Sequence, residues 1–299
     1  MKYVIVIFTI FRKETMMKTA IVTDSTAFLS GEIKQHPDVY IIPIPVIIDG
    51  KIYNEGVDVA DEGEFYQLLK NSKELPTTSQ PSIGEVLELY QSLASKGYQR
   101  VISIHLSSGI SGFINNLIGM APGIDEIEVI PFDSMITSMP MGHMVKVALE
   151  MSASGEDLDD IVTRLETIRE QTDAYLIVDD LNHLVRGGRL KNSSAIIGSL
   201  LKIKPVLKFD KGVIVLSEKI RSSKKAFAKA EDIVAKHYKK NKVEHVYYLI
   251  HANSLQIAEI EKIKLEEKCP GIHIEIGTLG PVVGTHVGEK TIGFAWTAK

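Results

Sequence analysis

From residue 19 to residue 170, short apolar runs alternate with stretches in which apolar side chains recur every three or four positions. Residues 19–22, 101–106 and 127–132 are rich in Val and Ile, as strands buried on both faces are. Between and after them, Val86, Leu89, Tyr90 and Leu93, the segment 113–121, then Met141, Met144, Val145, Ala148 and Leu149, and finally Leu158, Ile161, Val162, Leu165 and Ile168 fall at helical spacing. The segments up to Ile33 and over 62–70 are further helices, and Ser82 with Glu85 forms a capping-box pattern. The Met-rich stripe reads as core. Strands alternating with helices imply a parallel sheet, whose ligands gather beyond the carboxyl ends of the strands. Asp24, Ser107 and Asp133 stand at such ends. Residues 40–48 are also β-rich, but Pro43 and Pro45 each remove a ladder donor, which predicts an edge or irregular strand turned by Asp49 and Gly50.

Past residue 170 the pattern changes. Residues 174–178, 205–209, 213–217, 245–250, 272–276 and 292–296 read as strands, and 224–239 and 255–267 as the helices that cover them. Asp210, Lys211 and Gly212 are a hairpin turn, so this half is predicted to hold a mixed sheet. The fold class is α/β with two domains, 17–170 and 171–299, a division that suits a chain of 299 residues.

Residues 3–11 are apolar, yet too few to span a membrane, and no small-residue cleavage site follows before the strand at 19. We read 1–16 as an extension outside the fold, with a signal, an anchor or an added edge strand as the alternatives. A net charge of −4 supplies no general attraction for nucleic acid or an anionic membrane. The single cysteine, Cys269, rules out an intrachain disulfide and a Cys-based zinc site, and fits a reducing, cytoplasmic setting.

Three turns carry the candidate chemistry. In the first, Leu106-Ser-Ser-Gly-Ile-Ser-Gly112 leads from strand to helix, with hydroxyls and glycines where backbone N–H groups lie open: an anion seat or a plain connector. The second is the hydroxyl-rich Thr77-Thr-Ser-Gln-Pro-Ser82. In the third, His286 lies among Gly280, Gly284 and Gly288. Neither GxxxxGK nor a strand-linked GxGxxG occurs, which removes the familiar nucleotide classes. A serine hydrolase using His286 with Asp24 or Asp133 stays open, although Gly109-Ile-Ser-Gly-Phe113 is not the GxSxG elbow. The histidines show no metal-ligand spacing. Basic turns at Arg186-Gly-Gly-Arg189 and Lys219-Ile-Arg221 are either solvated charge or a docking patch.

Taken in order, Thr23-Asp-Ser-Thr26, Thr78-Ser-Gln-Pro-Ser82, Leu106-Ser-Ser-Gly-Ile-Ser-Gly112, Phe132-Asp-Ser134, Val178-Asp-Asp-Leu181 with Gly187-Gly-Arg189, the segment 200–207, and Gly280-Pro-Val-Val283 with His286 resemble the DegV family from about Met17 to the end. The chain departs from the family's frequent His-x-Gly-Pro-Gly, having His286-Val-Gly-Glu-Lys290 instead, which alters the last loop and leaves the His. The resemblance implies a two-domain α/β protein that is not an enzyme and needs no cofactor or metal. It implies a long-chain fatty acid in a tunnel, its carboxylate held by Thr77, Thr78, Ser107 or Ser108, and His286. It further implies a carrier subunit that presents the carboxylate to an ATP-dependent fatty acid kinase for conversion to acyl-phosphate, feeding phospholipid metabolism. Arg189 and Arg221 would dock the kinase, transient membrane contact would be possible, and nucleic acid would play no part. A lipid-sensing regulatory protein with no kinase is the remaining alternative.

Overall fold

A computed structural model describes residues 17–59, 62–193 and 204–299. The expected extension, 1–16, and part of the 200–207 motif lie outside the described residues. In chain order the elements are β1 (Thr19–Asp24), α1 (Gly31–Lys34), β2 (Val39–Ile42), β3 (Pro45–Ile48), β4 (Lys51–Asn54), α2 (Glu62–Asn71), β5 (Thr77–Thr78) and α3 (Ile83–Ser95). Next come β6 (Arg100–His105), α4 (Phe113–Met120), β7 (Glu128–Asp133), α5 (Ser138–Ala153), α6 (Leu158–Glu170), β8 (Asp173–Ile177) and α7 (Asn182–Arg186). The remainder is β9 (Lys204–Asp210), β10 (Val213–Ile220), α8 (Ser223–Lys240), β11 (His245–His251), α9 (Leu255–Lys268), β12 (Ile274–Thr278), α10 (Pro281–Val287) and β13 (Ile292–Ala298).

The first sheet is parallel throughout, in the order β2-β1-β6-β7. The second, β10-β9-β8-β13-β11-β12, is antiparallel except for β11 with β12. Strand alternation sorts their side chains. Ile21, Ile102, Ile104 and Phe132 face inward from the first sheet, and Ala174, Leu176, Tyr248, Ile250 and Ala295 from the second, into one shared core. The buried stripe Met141, Met144, Val145 and Ala148 of α5 lies in that core, where α5 packs on β1 and β6 and also on β13. Outward, Ala20, Val22 and Val101 meet α3 and α4, while Val206, Leu249 and Phe294 meet α8 and α9. Helices on both faces of the parallel sheet explain why its strands are apolar runs without alternation.

Three local readings change. Residues 40–48 are not one strand: at Pro43 and Ile44 the chain leaves β2 in the parallel sheet and starts β3 in a separate antiparallel sheet, β4-β3-β5. Ser82 does occupy the cap position of α3, but its side chain makes no cap bond. The glycine-rich stretch around His286, read as a loop, is the helix α10, with Pro281 at its first turn.

Candidate functional site

A cavity of about 260 Å³ lies between the two sheets, walled by Leu106, Leu176, Leu184, Phe209, Ile214 and Val282 among others. Outside it is an open vestibule of about 640 Å³ that includes Lys73, Arg186 and His183. Both spaces share three polar side chains, Thr78, Arg189 and His286, which therefore form the mouth between them.

Thr78 reaches the mouth because β5 pairs with β3, Thr78 opposite Val46. His286 reaches it from the last turn of α10, whose start is clamped by Glu55 Oε1 accepting from the Val282 N–H at 3.0 Å. A Cβ at 280 would lie 2.3 Å from that same Glu55 oxygen, so a larger residue there would displace the clamp. Thr78 Oγ1 and His286 Nε2 are 2.7 Å apart. The end of α7 packs directly on the imidazole: a Cβ on Gly187 would come within 2.5 Å of His286 Nδ1, which accounts for the first of the paired glycines. The second, Gly188, has φ +70° and turns the chain so that Arg189 points back to the mouth. There Arg189 Nε donates to the Ile110 carbonyl at 3.0 Å and Nη1 to the Gly187 carbonyl at 2.6 Å.

The electrostatics favour an anion. Arg189 is half-buried and bonds carbonyls with no carboxylate partner among the described residues, so burial works against its charge. Burial, reinforced by the charges of Arg189 and His183, pushes the His286 pKa down to about 4. The imidazole is therefore neutral at pH 7 and meets Thr78 as a hydrogen-bonding group. A mouth with one guanidinium that meets no carboxylate among the described residues, one neutral imidazole and one hydroxyl is suited to a single carboxylate.

The structure brings Thr78 and His286 together and sets the other expected carboxylate ligands apart. Thr77 is exposed and lines the vestibule. Ser107 is fully buried, its Oγ donating to the Gly212 carbonyl at 2.7 Å and accepting from the Gly109 N–H, so it ties the turn to the β9–β10 hairpin. Ser108 offers its N–H to Asp133 Oδ1 at 3.2 Å, outside the cavity lining. From that same turn Leu106, Ile110, Ser111 and Gly112 line the cavity. Arg189 is expected on an exposed docking turn and instead stands in the mouth, because Gly187 and Gly188 fold the turn inward; Arg221 is exposed. Ser79 and Gln80, inside the hydroxyl-rich stretch, also line the cavity.

The strand-end residue Asp24 has a different task. Its carboxylate accepts from Thr26 N–H and Oγ1, from the Leu106 N–H and from His105 Nδ1, the last at 3.0 Å. His105 Nε2 continues to Ser103 Oγ at 2.7 Å, and Ser103 to Tyr90 Oη. This is a serine–histidine–aspartate row, but all three members are completely buried and serve as an internal strut. At the mouth, the hydroxyl beside His286 belongs to a threonine, and no carboxylate orients the ring among the described residues. Neither arrangement is a hydrolase triad.

No helix among the described residues is long and apolar enough to cross a membrane. The DegV family profile, described as "Uncharacterised protein, DegV family", matches residues 18–299. A DegV domain-containing protein of Listeria monocytogenes is 43% identical over 282 residues, 94% of this chain and 99% of its own. Among solved structures, the fatty acid binding DegV family protein of Streptococcus agalactiae superposes with a TM-score of 0.89 at 40% identity, covering 95% of this chain and 99% of that one. DegV of Bacillus subtilis, described as a fatty acid binding protein, gives 0.86 at 41% identity, with 95% and 100% covered. The chain belongs to the DegV family.

Proposed function

We propose that this protein binds a long-chain fatty acid, its hydrocarbon in the apolar cavity and its carboxylate at the mouth among Thr78, Arg189 and His286. The observation that carries the reading is an apolar chamber beside a cationic vestibule, with those three side chains lining both. Its relatives from S. agalactiae and B. subtilis, described as fatty acid binding, support it. At roughly 0.8 kcal/mol per buried methylene the chain dominates affinity, and the head group fixes orientation. Mass spectrometry of lipid extracted from the purified protein tests the reading. A protein that leaves expression without fatty acid, and takes none up in titration, refutes it.

The finer reading is that the bound carboxylate is presented to a separate kinase subunit for conversion to acyl-phosphate, in the cytoplasm, with no catalysis by this chain. The vestibule supports it: Lys73, Arg186 and Arg189 stand where a phosphoryl group would meet the carboxylate, with Glu74 the acidic side chain in its lining. Turnover of ATP by a candidate kinase only when the loaded protein is added supports the carrier role, and a kinase indifferent to it favours the lipid sensor. Release of acid from fatty esters by the protein alone would restore the hydrolase.

A further inference from the structure

The six mouth and turn residues Thr78, Ser79, Gln80, Ser111, Arg189 and His286 account for the polar lining of the cavity, with one exception, Thr137. It is only 6% exposed, and its hydroxyl has no hydrogen-bond partner. Position makes this unexpected. Thr137 is the cap residue of α5, with the extended backbone of a cap, and a threonine there ordinarily accepts from the N–H of the second or third helical residue. Here the third residue is Pro140, which has no N–H, and the helix starts at Ser138 with φ +58°, in the left-handed region that non-glycine residues rarely adopt. The Ser138 side chain is spent elsewhere, donating to the Thr278 carbonyl at 3.2 Å. A strained first residue and a proline thus leave one hydroxyl uncommitted in a hydrocarbon wall. The oxygen is shielded from open space as it stands, and rotation about χ1 would bring it to the cavity in place of the γ-methyl.

We infer that Thr137 is a specificity-determining residue, hydrogen-bonding an oxygen carried partway along the acyl chain, so that the cavity prefers hydroxy or oxo fatty acids to the unsubstituted acid of equal length. This rests on the fatty-acid reading above. A methylene placed against Thr137 leaves the hydroxyl unsatisfied, whereas a chain oxygen at that depth completes it. Sites built to bond a polar group discriminate against the analogue that lacks it.

The test uses the delipidated protein and displacement of a fluorescent fatty acid by stearic acid and by monohydroxystearic acids with the hydroxyl walked along the chain. At one position, or two adjacent ones, the hydroxy acid is expected to bind about tenfold tighter than stearic acid, and elsewhere more weakly. Thr137→Val keeps the shape without the hydroxyl and should abolish the positional preference; Thr137→Ser should retain it. Stearic acid bound with no positional preference, or a preference that survives Thr137→Val, overturns the inference alone. Failure of stearic acid and of every hydroxy acid to bind overturns the fatty-acid reading with it. Should the valine variant not fold, the positional profile of the unaltered protein still decides.

Discussion

Replacing Arg189 by methionine separates the head-group contribution from that of the chain. The substitution keeps the length of the stem and removes the cation at the mouth. A unit charge pair at about 4 Å in an effective dielectric near 20 interacts by about 4 kcal/mol. The guanidinium is only half-buried, so solvent screening reduces this to about 2–3 kcal/mol, or roughly 30- to 150-fold in Kd. The assay is a set of saturated acids of increasing length titrated against both proteins. In each, Kd should tighten by roughly fourfold per methylene, the equivalent of ~0.8 kcal/mol, until the cavity is full. The two lines should be parallel and displaced. The methyl esters, which carry no charge, should bind both proteins alike. Loss of the Arg189 bonds to the Ile110 and Gly187 carbonyls will also cost stability, on the order of 1 kcal/mol each, read separately in urea. Equal affinity of the acids for the two proteins, or a changed slope with no displacement, would refute the placement of the carboxylate.

Arg221→Ala should leave fatty-acid affinity unchanged while raising the concentration of carrier needed for half-maximal kinase turnover, since Arg221 is exposed and lines neither space; lost lipid with normal kinase kinetics would reverse that role. Gly109→Ala places a Cβ 2.3 Å from the Gly212 carbonyl oxygen, so it should lower the urea midpoint by the equivalent of about 1–3 kcal/mol at unchanged m. A midpoint within error of wild type would show that the turn and hairpin part at no cost. His143, His237 and His286 are each pushed down to about 4, chiefly by burial, while their unfolded value is 6.5. The unfolded chain therefore binds protons that the folded apo protein refuses, and stability should fall as pH drops through that window. Each histidine contributes a slope of about 1.4 kcal/mol per pH unit, so His286→Gln should flatten the profile by that amount.

Much of this architecture can be read in the residues because burial imposes a period. Ile21, Ile102 and Ile104 face one core and Ala20, Val22 and Val101 another, and a run that is apolar on both faces is the mark of a covered parallel strand. The turn at Asp210, Lys211 and Gly212 likewise has its positive φ at Lys211 and Gly212, as its composition requires. What escaped were elements too short to show a period: β5 of two residues, α7 and α10. The site depends on those elements. Thr78 and His286 are separated by 208 positions and meet because β5 adds to β3 while α10 packs on α7. The serines of the 107–112 turn illustrate the complementary limit. Hydroxyl and glycine composition marks a close approach, but whether the partner is a ligand or another turn depends on the hairpin at Gly212, which lies 105 positions from Ser107.

The mouth also decides what information about a bound molecule leaves the protein. Thr78, Arg189 and His286 stand between the chamber and the vestibule, so a second protein approaching from outside meets the same few atoms whatever hydrocarbon lies behind them. Length, branching and substitution are hidden from that visitor. On the proposed reading, sorting among chains would be completed when the chamber is filled, by Phe209, Ile214, Thr137 and their neighbours, and a step beyond the mouth would act on a uniform head group. Selectivity and onward chemistry would then sit on different side chains, free to change independently of one another.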